Sequence, residues 1–416
     1  MINKISVKHY STLEIQNKIA TNGEKVIVYG FGTIGKLTKQ ILTKLNIKVD
    51  FFCDSDVRKK DFEYQSCKVI TPEELYKLSN ETNVFVANDY FQGVLPNLKE
   101  NNFVNIYNST SLLVEPDVTK LYDGDLYPLK LKRRIDFYNE MSKKNEYAVS
   151  GFLKIKSVDI QITEKCSLKC KDCSNLMQYY VKPQDTGMDE LFTSLDNLMN
   201  AVDHVNEIRI LGGDPFMNKQ MHKVVNKIVQ YENISRIVIY TNATIIPKGE
   251  QLECLKNKKV VLEITNYGEA SRAHDALVAL ATKEGIDYST YKCEIWQDCG
   301  RIMPNSMKSE REIIDQFNNC CNSDLITLLH GKLYRCPFSA NGNNLNAFED
   351  SQSDIINMTK KYENISELKK QIKELCYDKK FLKACFSCNG RDFTSQDIKS
   401  AIQTKKVIEY NKSEVL

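Results

Sequence analysis

No apolar run in this 416-residue chain approaches the ~20 residues that a membrane-spanning helix needs, which argues against a membrane span. Met1 to Ala20 mixes charged and polar residues too evenly for a signal peptide. The net charge of +3 is small for this length and gives no basic footprint for nucleic acid. No internal repeat or low-complexity tract is present, which excludes a repeat array or a compositionally biased scaffold. What the chain does have is length and cysteine. Its 416 residues exceed one usual domain and predict two or three. Its 14 cysteines, with no signal peptide, point to a reduced cytoplasmic setting with metal or iron–sulfur sites, not to disulfides.

The first ~110 residues alternate strand and helix patterns, which predicts βαβ units and a parallel sheet. Lys25 to Tyr29 is a β-rich run that enters Gly30-Phe31-Gly32-Thr33-Ile34-Gly35, and a helical pattern follows to about Leu45. Ile47 to Cys53 reads as a second strand ending at Asp54. Val69-Ile70 precedes a capped helix with Pro72 at its first position. Val84 to Ala87 and Val104 to Tyr107 complete the set. Gly30, Gly32 and Gly35 match the dinucleotide fingerprint, and Asp54 stands where an acidic group would meet a ribose hydroxyl. Two readings stay open: a nucleotide site, or a domain that uses the glycines structurally and docks a partner or substrate. Residues 111–150 read as a linker with a charged helical segment over Leu129 to Lys144.

From about Ser157 the alternation resumes. Expected strands are Val158–Thr163, Glu207–Leu211, Arg236–Thr241, Val260–Thr265 and Asp287–Tyr291, with helices at Met188–Val202, Lys219–Tyr231 and Ala270–Glu284. Cys166, Cys170 and Cys173 follow the first strand with spacings of three and two residues. Three thiolates on one loop can hold three irons of a 4Fe–4S cluster and leave the fourth open, whereas such clusters normally have four protein ligands. Zinc is the alternative, since Cys170 and Cys173 form a C-x2-C pair. Gly212-Gly213-Asp214-Pro215 follows the second strand, and Thr241-Asn242-Ala243-Thr244 ends the third.

These three motifs, in this order, resemble the radical S-adenosylmethionine (SAM) superfamily. The second is similar to its GGEP motif with Asp for Glu, and the third to its TNGT segment with Ala for Gly. The resemblance implies an α/β fold with a partial (β/α)6 TIM-type barrel over residues 151–310, following an N-terminal Rossmann-like parallel sheet over 1–110. Reactive groups in such barrels sit at the C-terminal strand ends, where all three motifs fall. It also implies that Cys166, Cys170 and Cys173 hold the cluster and that Gly212, Gly213 and Asp214 bind the methionine end of SAM. Asn242 would contact ribose or carboxylate. The N-terminal part resembles the small Rossmann-like domains of bacterial polysaccharide and sugar-nucleotide enzymes.

Residues 311–416 carry a second pattern: Cys321, then Gly331 and Cys336 around a hairpin, then Cys385-Phe-Ser-Cys388. It resembles the twitch domain, the shorter relative of the SPASM domain, and implies one auxiliary 4Fe–4S cluster held by Cys321, Cys336, Cys385 and Cys388. Cys320 fits the spacing too; Cys321 is preferred. A zinc ribbon would use the same four residues. Too few cysteines follow Cys388 for a second auxiliary cluster. Cys376 reads as a core residue. Cys293 and Cys299 are either core residues or hydrogen donors to a substrate radical.

The family's chemistry cleaves SAM reductively to a 5′-deoxyadenosyl radical, drawing electrons from a donor such as flavodoxin or ferredoxin, and low oxygen is implied. The substrate readings are a sugar, sugar nucleotide or glycan precursor, oxidised or epimerised, or a peptide side chain. No winged-helix peptide-recognition pattern is present, which tilts the choice to carbohydrate. An electron-transfer protein without SAM chemistry and a nicotinamide dehydrogenase are the remaining readings, and the second leaves most of the chain unexplained.

Overall fold

The computed structural model describes residues 12–55, 59–87, 91–113, 135, 153–303, 308–318, 320, 322, 325–348, 351–390 and 396–410. Nearly all of the expected 111–150 linker lies outside them. The chain divides into two compact units, residues 1–152 and 153–416. Among the described residues no helix is long and apolar enough to cross a membrane.

In the first unit, helix α1 (Thr12–Asn22) precedes β1 (Val26–Tyr29), α2 (Thr33–Lys44) and β2 (Phe51–Cys53). Then come β3 (Glu63–Tyr64), β4 (Cys67–Ile70), α3 (Pro72–Leu75), β5 (Asn83–Val86), α4 (Phe91–Glu100) and β6 (Ile106–Asn108). The sheet order is β3-β4-β2-β1-β5-β6, parallel except for the edge strand β3. Both sheet faces are covered: Val26, Val28, Phe52 and Phe85 join one apolar cluster, while Ile27, Tyr29, Val84 and Val86 join another. Burial on both faces is why these strands read as continuous apolar runs. Thr71 and Glu74 close a capping box around the start of α3 (Thr71 N to Glu74 Oε2, 2.9 Å) with Pro72 in its first turn. The strand order reverses between β1 and β5, the place where such sheets open a crevice.

In the second unit β7 (Lys154–Thr163), β8 (His204–Gly212), β9 (Ile234–Thr241), β10 (Val260–Asn266) and β11 (Tyr288–Lys292) lie parallel in chain order. Helices α5 (Met188–Ala201), α6 (Met221–Ile228) and α7 (His274–Lys283) connect them, with a four-residue turn of helix, Glu250–Glu253, between β9 and β10. Alternation along the strands separates two faces. Val158, Ile160, Ile162, Ile208, Ile210, Ile237 and Ile239 pack with α5 and α6, while Asp159, Gln161, Thr163, Glu207, Arg209 and Tyr240 occupy the other register. Each buried aliphatic side chain contributes roughly 1.5–3 kcal/mol. A one-residue slip would exchange the faces, so the register is held.

The five strands expected here are all present, but the sixth parallel strand does not follow β11. A pair, β12 (Ile295–Gln297) with β16 (Asp397–Lys399), forms a separate two-stranded sheet. After α8 (Glu310–Asn318), β13 (Leu325–Leu329) pairs in parallel with the free edge of β7. Strands β14 (Lys332–Tyr334) and β15 (Ile355–Asn357) continue the sheet antiparallel, to eight strands. The hairpin thus satisfies backbone groups that β7 would otherwise leave unpaired. A boundary near residue 310 is accordingly not a break in the fold: the same sheet runs through both sides of it. Helices α9 (Pro337–Asn344) and α10 (Ile365–Lys373) complete the unit.

Candidate functional site

The cysteine loop leaves β7 and is zipped at once to the glycine turn after β8. Gly213 N–H donates to Thr163 O and Asp214 N–H to Lys165 O, both at 2.9 Å. The approach admits no side chain. A Cβ on Gly212, whose φ is +154°, would stand 2.0 Å from Thr163 O, and one on Gly213 would stand 2.2 Å from Lys165 O. The two glycines therefore serve first to bring two loops into contact.

Asp214, expected at the methionine end of SAM, is fully buried and its carboxylate is already engaged. Oδ1 accepts from Phe216 N–H (3.0 Å); Oδ2 accepts from Thr241 Oγ1 (2.8 Å) and from Asn242 N–H (3.0 Å). Burial raises its carboxyl above the usual range, against the lowering effect of these hydrogen bonds. It ties the ends of β8 and β9 together. Asn242 is likewise turned onto the cysteine loop. Its Nδ2 donates to Ser167 Oγ (3.2 Å) and lies 3.5 Å from Cys166 Sγ, and its Oδ1 accepts from Thr244 Oγ1 (2.6 Å). Here the side chain supports the cysteine loop.

Cys170 is buried, while Cys166 and Cys173 are partly accessible. Burial, then the neighbouring Cys173, pushes the Cys170 thiol up to about 12. Burial, then Asp214, raises that of Cys166. Several supporting residues were not legible as such in the sequence. Asp172 is buried and pairs with Arg301 (2.6 Å), and Gln178 Nε2 donates to Gly300 O (2.5 Å). Gly300 approaches Asp172 O so closely that a Cβ would lie 2.2 Å away. Tyr267, just past β10, has its phenol raised by burial and then by Cys293, Tyr291, Cys173 and Cys170. Trp296 meets Tyr267 edge-on at 5.6 Å. Gln403, more than two hundred residues from the loop, hydrogen-bonds Cys170 Sγ at 3.2 Å. Nothing in the polar run around Gln403 signals this; only the fold brings it there.

A second group of thiols lines a cavity: Cys320, Cys336, Cys385 and Cys388, joined by Cys299 and Ser174. Phe317, Phe338 and Leu382 supply apolar wall. Its room of about 40 Å³ exceeds the ~10–15 Å³ that one water needs. Cys336 is the N-cap of α9, its Sγ accepting from Ser339 N–H at 3.4 Å, a position that favours a thiolate. Gln316 Nε2 donates to the carbonyls of Cys385 (3.1 Å) and Cys388 (3.3 Å) and so orients the C-x2-C turn. Burial pushes the Cys385 thiol up to about 12 and that of Cys388 well above its ordinary value. Cys321 lies outside the described residues. Among the described residues no three His, Cys, Asp or Glu side chains gather around a single-ion position; these thiols are ranged along a cavity wall instead. Of the two spare thiols, Cys299 is buried in this wall, and Cys293 is partly accessible. Cys376 packs against the main apolar cluster.

In the first unit two of the three fingerprint glycines, Gly30 and Gly35, meet in a close backbone approach. Gly30 has φ +118°, and a Cβ on Gly35 would stand 1.7 Å from Gly30 O. Gly32 caps α2 and has open space beside it. Asp54, expected at a ribose hydroxyl, turns back on the loop: its Oδ2 accepts from Phe31 N–H (2.7 Å) and from Lys59 Nζ (3.0 Å).

Residues 160–278 match the family model described as a 4Fe-4S single cluster domain. The GTP 3′,8-cyclase of Clostridium acetobutylicum is 24% identical over 131 residues, 28% of this chain and 41% of that protein. The GTP 3′,8-cyclase of Sulfurovum sp. is 27% identical over 173 residues, 40% of this chain and 51% of that protein. The chain thus spans about half or less of the length of these curated relatives. The crystal structure of BtrN in complex with AdoMet and 2-DOIA is 14% identical, covers 62% of this chain and 98% of its own, and has a TM-score of 0.35.

The buried carboxylate gives a direct test. Asp214→Asn replaces one of the two acceptor oxygens with NH2, which then faces either the Phe216 N–H or the Thr241 and Asn242 donors, and one mismatched buried pair costs about 1–3 kcal/mol. Trp296, the single tryptophan, reports unfolding of this unit by fluorescence in urea. The expected result is a lower midpoint by that free energy; an unchanged midpoint would remove Asp214 from its role as the tie.

Proposed function

We propose that this chain, a radical SAM protein with a 4Fe–4S domain, binds SAM at a cluster held by Cys166, Cys170 and Cys173 and abstracts hydrogen from a polar small molecule. The reading is carried by one observation: the three-cysteine loop, the Gly212–Gly213 turn and Asn242 meet at one end of the parallel sheet. With the cluster and SAM bound, the site would supply radical hydrogen abstraction from a substrate carbon. The chain's part is positional. Gly212 and Gly213 hold the loop against β8, and the backbone of this turn is the proposed contact for the methionine end. Asp214 fixes the β8 and β9 ends, and Asn242 braces Cys166. Tyr267 and Trp296 form an aromatic pair proposed to exclude water from the site.

The proposed substrate class is a sugar, sugar nucleotide or glycan precursor. Supporting it, the sheet face away from the helices is polar, with the pairs Asp159–Arg209 (2.5 Å) and Glu207–Arg236 (2.7 Å). Gln161 on that face is buried and its amide has no hydrogen-bond partner among the described residues, leaving a donor and an acceptor for a polar guest. Oxidation and epimerisation are the two outcomes considered; for the second, Cys293 and Cys299 are the candidate hydrogen donors, Cys299 being next to Gly300, which packs on Asp172 and Cys173. The proposed electron donor is a flavodoxin or ferredoxin in a reduced cytoplasm.

We assign the auxiliary cluster to Cys320, Cys336, Cys385 and Cys388. Cys320→Ser is expected to lose about half of the chain's iron, with Cys321→Ser retaining it. The reverse result would return the ligand to Cys321, and stoichiometric zinc in place of iron would make the cavity a zinc site.

For the reaction, anaerobically reconstituted and reduced protein is expected to form 5′-deoxyadenosine from SAM. The Cys166/Cys170/Cys173→Ala variant is expected to form none. Iron-replete protein that makes no product with any sugar, sugar nucleotide or peptide offered would favour an electron-transfer role, and product only with peptides would overturn the carbohydrate assignment.

A further inference from the structure

We propose that the C-terminal segment Ala401–Thr404 is a strap across the cysteine loop, and that Gln403 is a positioning residue that sets the reduction potential of the cluster on Cys166, Cys170 and Cys173. The inference rests on the cluster reading above. The segment pairs with the loop as a short antiparallel bridge between Cys170 and Gln403. Lys171 N–H donates to Ile402 O and Thr404 N–H donates to Lys169 O, both at 2.7 Å. Within that bridge the Gln403 side chain is fixed at both ends. Its Oε1 accepts from Lys169 N–H at 2.7 Å. Only the oxygen can accept from a peptide N–H, so the orientation of the amide follows. Nε2 then directs one hydrogen to Cys170 Sγ at 3.2 Å and the other to Ala401 O at 2.7 Å. Ala401 sits at φ +52°, a conformation that non-glycine residues adopt at a cost. The strap's hydrogen bonds to the loop hold it there.

A hydrogen bond to a ligand sulfur stabilises the more negative, reduced cluster and so raises its potential. Cys166 receives a comparable contact from Asn242, so two of the three ligand sulfurs face side-chain amides from different parts of the chain. Gln403 is exposed, and its replacement leaves the apolar core intact.

The test compares wild type, Gln403→Glu and Thr404→Val. Glutamate keeps the acceptor for Lys169 and loses the donor to Cys170. The Thr404 hydroxyl turns to Lys406 O rather than to the thiolate. Iron per chain is measured first, and the cluster signal that disappears in Cys170→Ala is then followed by electron paramagnetic resonance in a redox titration without SAM. The expected result is equal iron in all three and a cluster about threefold to tenfold harder to reduce in Gln403→Glu, tenfold being ~59 mV for one electron. Thr404→Val is expected to match wild type. An unshifted potential in Gln403→Glu, an equal shift in Thr404→Val, or loss of iron from Gln403→Glu would each overturn the assignment, the last leaving a purely structural strap. Wild-type protein with no signal dependent on Cys170 would instead defeat the cluster reading itself.

Discussion

The organisation of the second unit depends on how closely two stretches of backbone approach at the end of the sheet. Thr163 and Lys165 present carbonyls where Gly212 and Gly213 would carry side chains, and no residue with a Cβ fits at either position. That contact seats the cysteine loop on β8. The next residue, Asp214, then uses one buried carboxylate to gather Phe216, Thr241 and Asn242. Asn242 in turn reaches Ser167 and Cys166. Three consecutive strand ends are thus tied to the cysteine loop through a few polar contacts, each buried enough that losing a partner is costly.

The C-terminal region completes this arrangement rather than standing apart from it. The β13 strand extends the sheet along β7, and the hairpin turn sends His330 to Glu164, the residue that opens the cysteine loop, at 2.8 Å. Asn344 of α9 donates to the same carboxylate at 2.6 Å. On the other side, Cys299 and Gly300 lie between the two thiol sets: Cys299 and Ser174 line the auxiliary cavity while Gly300 packs on Asp172. The two sites are therefore neighbours within one unit. The strap at Gln403 adds a third contact from the distal chain.

Much of this was legible in the sequence because the signals are local. Alternation predicts strands such as Val158–Thr163 and Val260–Thr265 to within a few residues, and the Thr71-Pro72 helix start follows from capping chemistry. The cysteine loop and the C-x2-C pair were likewise visible, since ligand spacing is short-range. The rest was not, for physical reasons. Asp214 and Asp54 are carboxylates at motif positions, and sequence alone cannot say that backbone amides have already claimed them. The addition of β13 beside β7 depends on which sheet edge is free, a property of the assembled sheet. Gln403 has no local pattern at all; its role exists only through pairing across more than two hundred residues.

The most direct measurement is the electron paramagnetic resonance spectrum of the reduced protein with and without SAM, in wild type and in a Cys385/Cys388→Ala variant. The account predicts two reduced-cluster signals in wild type, one of which changes on adding SAM. The variant should retain that SAM-sensitive signal and lose the other. A spectrum indifferent to SAM, or a SAM-sensitive signal that vanishes with Cys385 and Cys388, would contradict the assignment of the SAM-binding cluster to Cys166, Cys170 and Cys173.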